Sequence, residues 1–173
     1  TISHAGYIKR NAVSLYRAQR RGGKGKIGMG IKEEDFVVNL FTASTHDSLL
    51  FFTDAGKVYW LKVHEIPEAS RAAKGKALVN LLALSSNEKV TATLPVKEFR
   101  DDRYIVMGTK KGIIKKTELS AFSNPRQGGI IALGLESGDR LISVQLTDGQ
   151  REILLGTRQG LTIRFKEEEV RSM

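Results

Sequence analysis

Cysteine is absent from all 173 residues. That excludes a disulfide framework and any cysteine-ligated metal centre, and it fits a reducing compartment. Hydrophobic runs are short. Leu49–Phe52 and Leu81–Leu84 are strand-sized, far below the ~20 apolar residues a bilayer requires, so no membrane span is expected. No secretory signal pattern is visible, and a cytoplasmic location is expected. Helix signals are sparse: Glu65–Ala73 and Lys166–Arg171 have room for about a turn each. Acids are missing altogether from the first 32 positions. Lys9, Arg10, Arg17, Arg20, Arg21, Lys24, Lys26 and Lys32 all precede the first one, Glu33. A single-sign segment of this kind is an electrostatic footprint rather than a mixed surface.

What is present is a globular composition, 40% hydrophobic, on a chain long enough for one ordinary core. A net charge of +9 points to nucleic acid or another anionic surface as partner. The densest part of the footprint is Gln19-Arg20-Arg21-Gly22-Gly23-Lys24-Gly25. Its glycines let the main chain approach a polyanion with N–H groups facing phosphate oxygens. Arg20, Arg21 and Lys24 supply charge, and arginine adds bidentate geometry suited to phosphate.

A strand–turn–strand unit recurs along the chain. Ser3-His4-Ala5-Gly6-Tyr7, Thr53-Asp54-Ala55-Gly56-Lys57, Thr109-Lys110-Lys111-Gly112-Ile113 and Thr157-Arg158-Gln159-Gly160-Leu161 share one shape, with turn glycines 50, 56 and 48 residues apart. Each reads as a hairpin with glycine at the turn. A second landmark follows the first three hairpins: Gly25-Lys26-Ile27, Gly75-Lys76-Ala77 and Gly128-Gly129-Ile130, each predicted to begin a strand. A period near 50 residues with several strands per unit predicts an all-β, propeller-like array of four-stranded blades. The expected domain is single, with blades at about 1–45, 46–98, 99–148 and a partial one at 149–173. Counting hairpins gives about three and a half blades, the first missing a strand and the last cut short. The chain opens at Thr1-Ile2-Ser3, in what reads as mid-strand, so a fragment is expected.

The box at 19–25, followed by Ile31-Lys32-Glu33-Glu34-Asp35-Phe36, closely resembles the C-terminal domain of the bacterial DNA gyrase A family. Thr45-His46-Asp47, Gly56-Lys57-Val58-Tyr59 and Pro67-Glu68-Ala69-Ser70-Arg71 are similar as well. The resemblance implies a β-pinwheel that wraps duplex DNA around its rim, so that strand passage yields negative supercoils. It also implies partners in the rest of the gyrase A polypeptide and in gyrase B, in an A2B2 holoenzyme, with ATP and Mg²⁺ bound elsewhere and no cofactor in this chain. Catalytic residues would lie outside it, leaving this segment noncatalytic within an ATP-dependent type II topoisomerase. Two alternatives stand beside that reading: the C-terminal domain of topoisomerase IV, whose corresponding box is typically degenerate, and a propeller-like scaffold for an acidic protein.

Cations on a convex rim would neutralise phosphates without reading sequence. Beyond the box, the candidates are Arg10, Arg17 and Lys26 in the first blade and Arg71, Lys74 and Lys76 in the second. Lys110, Lys111, Lys115, Lys116 and Arg126 are those of the third. Truncated edges would leave strands unpaired, and self-association is expected from them.

Other patterns carry less. Gly23-Lys24-Gly25-Lys26-Ile27-Gly28 satisfies G-x-G-x-x-G but lacks the flanking buried strand and helix start of a dinucleotide site. No P-loop pattern occurs. Arg103-Tyr104 opens a predicted strand, unlike the helical setting of a DNA-cleaving tyrosine. His4, His46 and His64 lack ligand spacing, so no metal site is expected.

Overall fold

The computed structural model describes residues 1–31 and 34–173; Lys32 and Glu33, which follow the basic box, lie outside the described residues. The first hairpin pairs β1 (Ile2–Ser3) with β2 (Tyr7–Ile8), and β3 (Val37–Asn39) adds to β1. The second pairs β4 (Ser48–Thr53) with β5 (Lys57–Lys62). It is followed by a short strand, β6 (Lys76–Ala77), and by β7 (Val90–Val96), which pairs with β4. The third pairs β8 (Tyr104–Thr109) with β9 (Ile114–Glu118), followed by β10 (Ile130–Ile131) and by β11 (Leu141–Thr147), which pairs with β8. The last is β12 (Glu152–Gly156) with β13 (Thr162–Lys166). All four turn glycines have positive φ, between 76° and 87°. The glycine lets each turn take the backbone twist that matches its strands.

The short strands do not join their own repeat. β6 pairs antiparallel with β2, and β10 with β5, so each crosses to the preceding hairpin. The sheets therefore run β3-β1-β2-β6, β10-β5-β4-β7, β11-β8-β9 and β12-β13. Two expectations are corrected here. The first sheet is not short of a strand, because the second repeat supplies its fourth. And Gly25-Lys26-Ile27 does not begin a strand, although β6 and β10 follow the equivalent glycines. β6 and β10 each form on the hairpin of the repeat before them, and the segment at 25–27 pairs with no described hairpin.

Packing follows from β4. Ser-Leu-Leu-Phe-Phe-Thr is buried throughout because successive side chains feed opposite faces. Leu49 and Phe51 join a core with Ile2, Ile8, Tyr59 and Val63 towards the first sheet. Leu50 and Phe52 join another with Ile105, Met107, Leu119 and Leu141 towards the third. Each such side chain contributes about 1.5–3 kcal/mol by leaving water. After each hairpin a 3-10 turn forms, at Val13–Leu15, Val63–Glu65, Leu119–Phe122 and Glu167–Glu169. Among the described residues no helix is long and apolar enough to cross a membrane.

Candidate nucleic-acid interface

The basic box folds as a clasped loop. Its first turn closes through the Gly23 N–H on the Arg20 carbonyl at 3.1 Å. The Gln19 side chain then spans the loop: its Oε1 accepts from the Gly25 N–H at 2.9 Å, and its Nε2 donates to the Gly25 carbonyl at 3.5 Å. The glutamine amide thus stands in for a peptide group of a neighbouring strand. A Cβ on Gly23 would fall 2.5 Å from the Gln19 Oε1, so the clasp requires glycine at that position. The sequence of the box follows from this geometry. Gln19 and the glycines shape the loop, while Arg20, Arg21 and Lys24 are exposed on it.

The loop is moored at both ends to the second repeat. Buried Lys9 donates its ammonium to the Ser70 and Arg71 carbonyls, and burial pushes its pKa down. Asn11 Nδ2 donates to the Ala69 carbonyl. At the far end the Gly30 N–H reaches the Ala73 carbonyl at 3.3 Å, and a Cβ on Gly30 would lie 2.2 Å from the Ala72 carbonyl oxygen. Tyr16 lies across the middle, its hydroxyl 3.5 Å from both Asn11 Oδ1 and the Gly28 carbonyl. Asn11 and Tyr16 are no candidates by sequence, because nothing local marks a residue that shapes a loop through contacts far along the chain.

No cation of the loop forms an ion pair with a described residue, and the same holds for Arg17, Lys26, Lys76, Lys110 and Arg126, all exposed. The other candidates, Arg71 aside, are engaged within the fold. Arg10 donates Nε to the Ile66 carbonyl at 2.8 Å and pairs with Glu68 at 3.0 Å. Lys116 is buried, with Nζ 3.0 Å from the Glu167 carbonyl and 5.1 Å from the Tyr104 ring centroid. Lys115 donates to the Ala132 carbonyl at 2.8 Å. Lys111 donates to the Ser137 carbonyl at 2.9 Å and lies 3.6 Å from Glu136. Lys74 sits 3.4 Å above the Tyr7 ring, and Arg71 holds its Nε buried without a hydrogen-bond partner. Basic residues next to a hairpin thus divide into those turned to carbonyls, acids or rings of the fold and those left to solvent, a division their shared residue type conceals.

Stacked antiparallel sheets, interlocked by crossing strands and carrying one exposed cationic loop, define a repeat-built propeller domain. The family model described as DNA gyrase C-terminal domain, beta-propeller, matches residues 1–44, 47–97, 103–148 and 151–173. The chain belongs to that family. It is 51% identical over 173 residues to the DNA gyrase A protein of Halalkalibacterium halodurans, covering 100% of this chain and 21% of the relative. For the Aeromonas salmonicida protein the identity is 53% over 167 residues, covering 96% and 18%. The chain thus spans about one fifth of the length of these relatives. A solved C-terminal domain of DNA topoisomerase IV aligns with a TM-score of 0.85 at 28% identity, over 99% of this chain and 52% of that one. A DNA gyrase A C-terminal domain aligns at 0.74 with 24% identity, over 99% and 55%, a likeness of fold. The backbone is common to both kinds of domain; the sequence assigns this one to gyrase.

Proposed function

We infer that this chain binds duplex DNA without reading its sequence and bends it along the outside of the blades, as the DNA-wrapping part of a gyrase. The observation that carries this is the clasped loop, which holds Arg20, Arg21 and Lys24 exposed with no described acid paired to them. Cations left unpaired on a moored loop are ready to displace condensed counterions from phosphates. Exposed Arg17, Lys26, Lys76, Lys110 and Arg126 extend the path. Bending a short site costs on the order of 1–6 kcal/mol, which several such contacts together can offset. In this reading the chain works with the rest of the gyrase A polypeptide and with gyrase B in the cytoplasm. ATP and Mg²⁺ act elsewhere in that assembly, and this segment carries out no chemistry itself.

The test is duplex binding by this chain across a salt titration, beside a variant with Arg20→Ala, Arg21→Ala and Lys24→Ala. Binding of unrelated sequences should be similar. The slope of log affinity against log salt should fall by about 0.9 for each phosphate contact the variant loses. An unchanged slope takes the loop off the phosphates. Absence of duplex binding at low salt overturns the reading for this chain.

A further inference from the structure

The turn inside the basic box has a twin fifty residues further on. The Gly23 N–H closes on the Arg20 carbonyl at 3.1 Å, and the Ala73 N–H closes on the Ser70 carbonyl at 3.1 Å. The stretches Gln19–Gly25 and Ala69–Gly75 share arginine at 21 and 71, lysine at 24 and 74, and glycine at 25 and 75. The twins are joined, since the Gly30 N–H at the end of the box loop donates to the Ala73 carbonyl. In each turn the two middle amides, of Arg21 and Gly22 and of Arg71 and Ala72, donate to no described acceptor. Consecutive free N–H groups of a turn form a concavity suited to an anion.

The two turns differ in what supports them. Gln19 clasps the first, whereas position 69 is alanine. Beneath the second lies Lys9, 1% exposed, whose ammonium donates to the Ser70 and Arg71 carbonyls and pairs with no described carboxylate. In a trans peptide the N–H points opposite to the carbonyl of the same plane. Drawing those two carbonyls inwards therefore turns the Arg71 and Ala72 amides away from the core. Beside them the Arg71 side chain holds a buried Nε with no hydrogen-bond partner. The next joint does without a charge at this place. Tyr59 occupies the position of Lys9, three residues after its own turn glycine, equally buried, and its hydroxyl goes to Glu88 at 2.9 Å. A buried ammonium held only by carbonyls is costly, and an anion set close to it offsets part of that cost.

We propose that the Ser70–Ala73 turn is a second phosphate seat, formed by the Arg71 and Ala72 amides and the Arg71 guanidinium, with Lys9 as its positioning residue. The occupant is a backbone phosphate of duplex DNA, so the proposal rests on the DNA-wrapping reading above. Lys9 does not touch the DNA. It fixes two peptide planes and sets a full positive charge behind them, where charge is screened far less than in bulk water. Counting exposed cations passes over this seat, because most of it is main chain.

Duplex binding by a gyrase A polypeptide carrying this segment, followed across a salt titration, tests the seat. Wild type is compared with the box variant (Arg20→Ala, Arg21→Ala and Lys24→Ala), with Arg71→Ala and with Lys9→Gln. Glutamine keeps two donors for the two carbonyls and removes the charge. Arg71→Ala should flatten the slope of log affinity against log salt by about 0.9, and by the same amount when added to the box variant. Lys9→Gln should weaken binding several-fold at low salt and lower the slope too, since a phosphate facing less positive charge retains more of its counterions. A loss in Lys9→Gln that is equal at every salt concentration would mean that Lys9 only holds the fold, and it overturns the positioning role. Unchanged slopes in Arg71→Ala and Lys9→Gln, with the box variant shifted, overturn the seat and leave DNA wrapping standing. A wild type that binds no duplex overturns both.

Discussion

At the scale of the residue, the informative side chains are polar groups whose partners lie far along the chain. Gln19 is one, a loop-shaping residue within a basic box. Glu88 is another. It is buried and accepts from Thr53 Oγ1 at 2.7 Å, Tyr59 Oη at 2.9 Å and the Ser85 N–H at 3.0 Å. Burial acts to raise its pKa, but the hydrogen bonds from Thr53, Ser85 and Tyr59 and the charge of Lys57 outweigh it, and the net shift is downward. Burial, then the hydrogen bond and charge of Glu88, push the Tyr59 phenol up to about 12, so it remains a donor at neutral pH. A carboxylate with a depressed folded pKa stabilises fully above its unfolded value, about 4.3, and loses that contribution as pH falls through the folded value. Glu88→Gln should therefore cost about 2 kcal/mol at pH 7, from the disrupted hydrogen bonds to a charged acceptor. The difference from wild type should shrink as pH drops below about 4. Urea unfolding at pH 7 and pH 3.5 checks both; a constant difference would mean the charge of Glu88 does not matter.

Among elements, the crossing strand decides the architecture. β6 and β10 are two residues long, yet each completes the sheet of the repeat before it and locks two blades together. The approach is closest at Gly75, where φ is 88° and the Ile8 carbonyl oxygen occupies the space a Cβ would need. Gly75→Ala should cost the left-handed penalty of about 1–2 kcal/mol plus the displacement of that carbonyl. Gly25→Ala, at a similar φ in open space, should cost the first part alone. Thermal or urea unfolding of the two variants separates them, and equal losses would remove the close approach as the reason for glycine at position 75. The strands are legible in sequence wherever a hairpin and its landmark both lie inside the chain. The segment at 25–27 reads falsely as a strand because local pattern records the glycine and the apolar residue after it, but not whether a partner hairpin is present.

For the whole molecule, a net charge of +9 sets the class of partner, and stacking decides where that charge is displayed. Of the cations next to the hairpins, Arg10, Lys115 and Lys116 are turned to carbonyls of neighbouring segments, whereas the box keeps its three in solvent. Wrapping by a gyrase carrying this segment should accordingly depend on the box more than on total charge. Replacing Arg20, Arg21 and Lys24 with alanine in the intact enzyme should depress the introduction of negative supercoils well beyond its effect on ATP-driven relaxation or decatenation. Topoisomer distributions on agarose read all three activities, and equal loss of all three would point to impaired folding.

Local chemistry determined much of this protein from the sequence alone. Turn glycines some fifty residues apart marked the hairpins, since few other residues adopt positive φ cheaply. The runs at Leu49–Phe52 and Tyr104–Met107 marked the strands that lead into two of those turns, and Gln19–Gly25 marked the loop and the family. Tertiary structure alone decided that sheets share strands across repeats, that Lys116 and Arg10 are ties, and that Gln19 holds the loop which Arg20 and Arg21 occupy. Each of these depends on carbonyls and amides brought close by packing, and a side chain's type does not state which backbone group the fold will set before it.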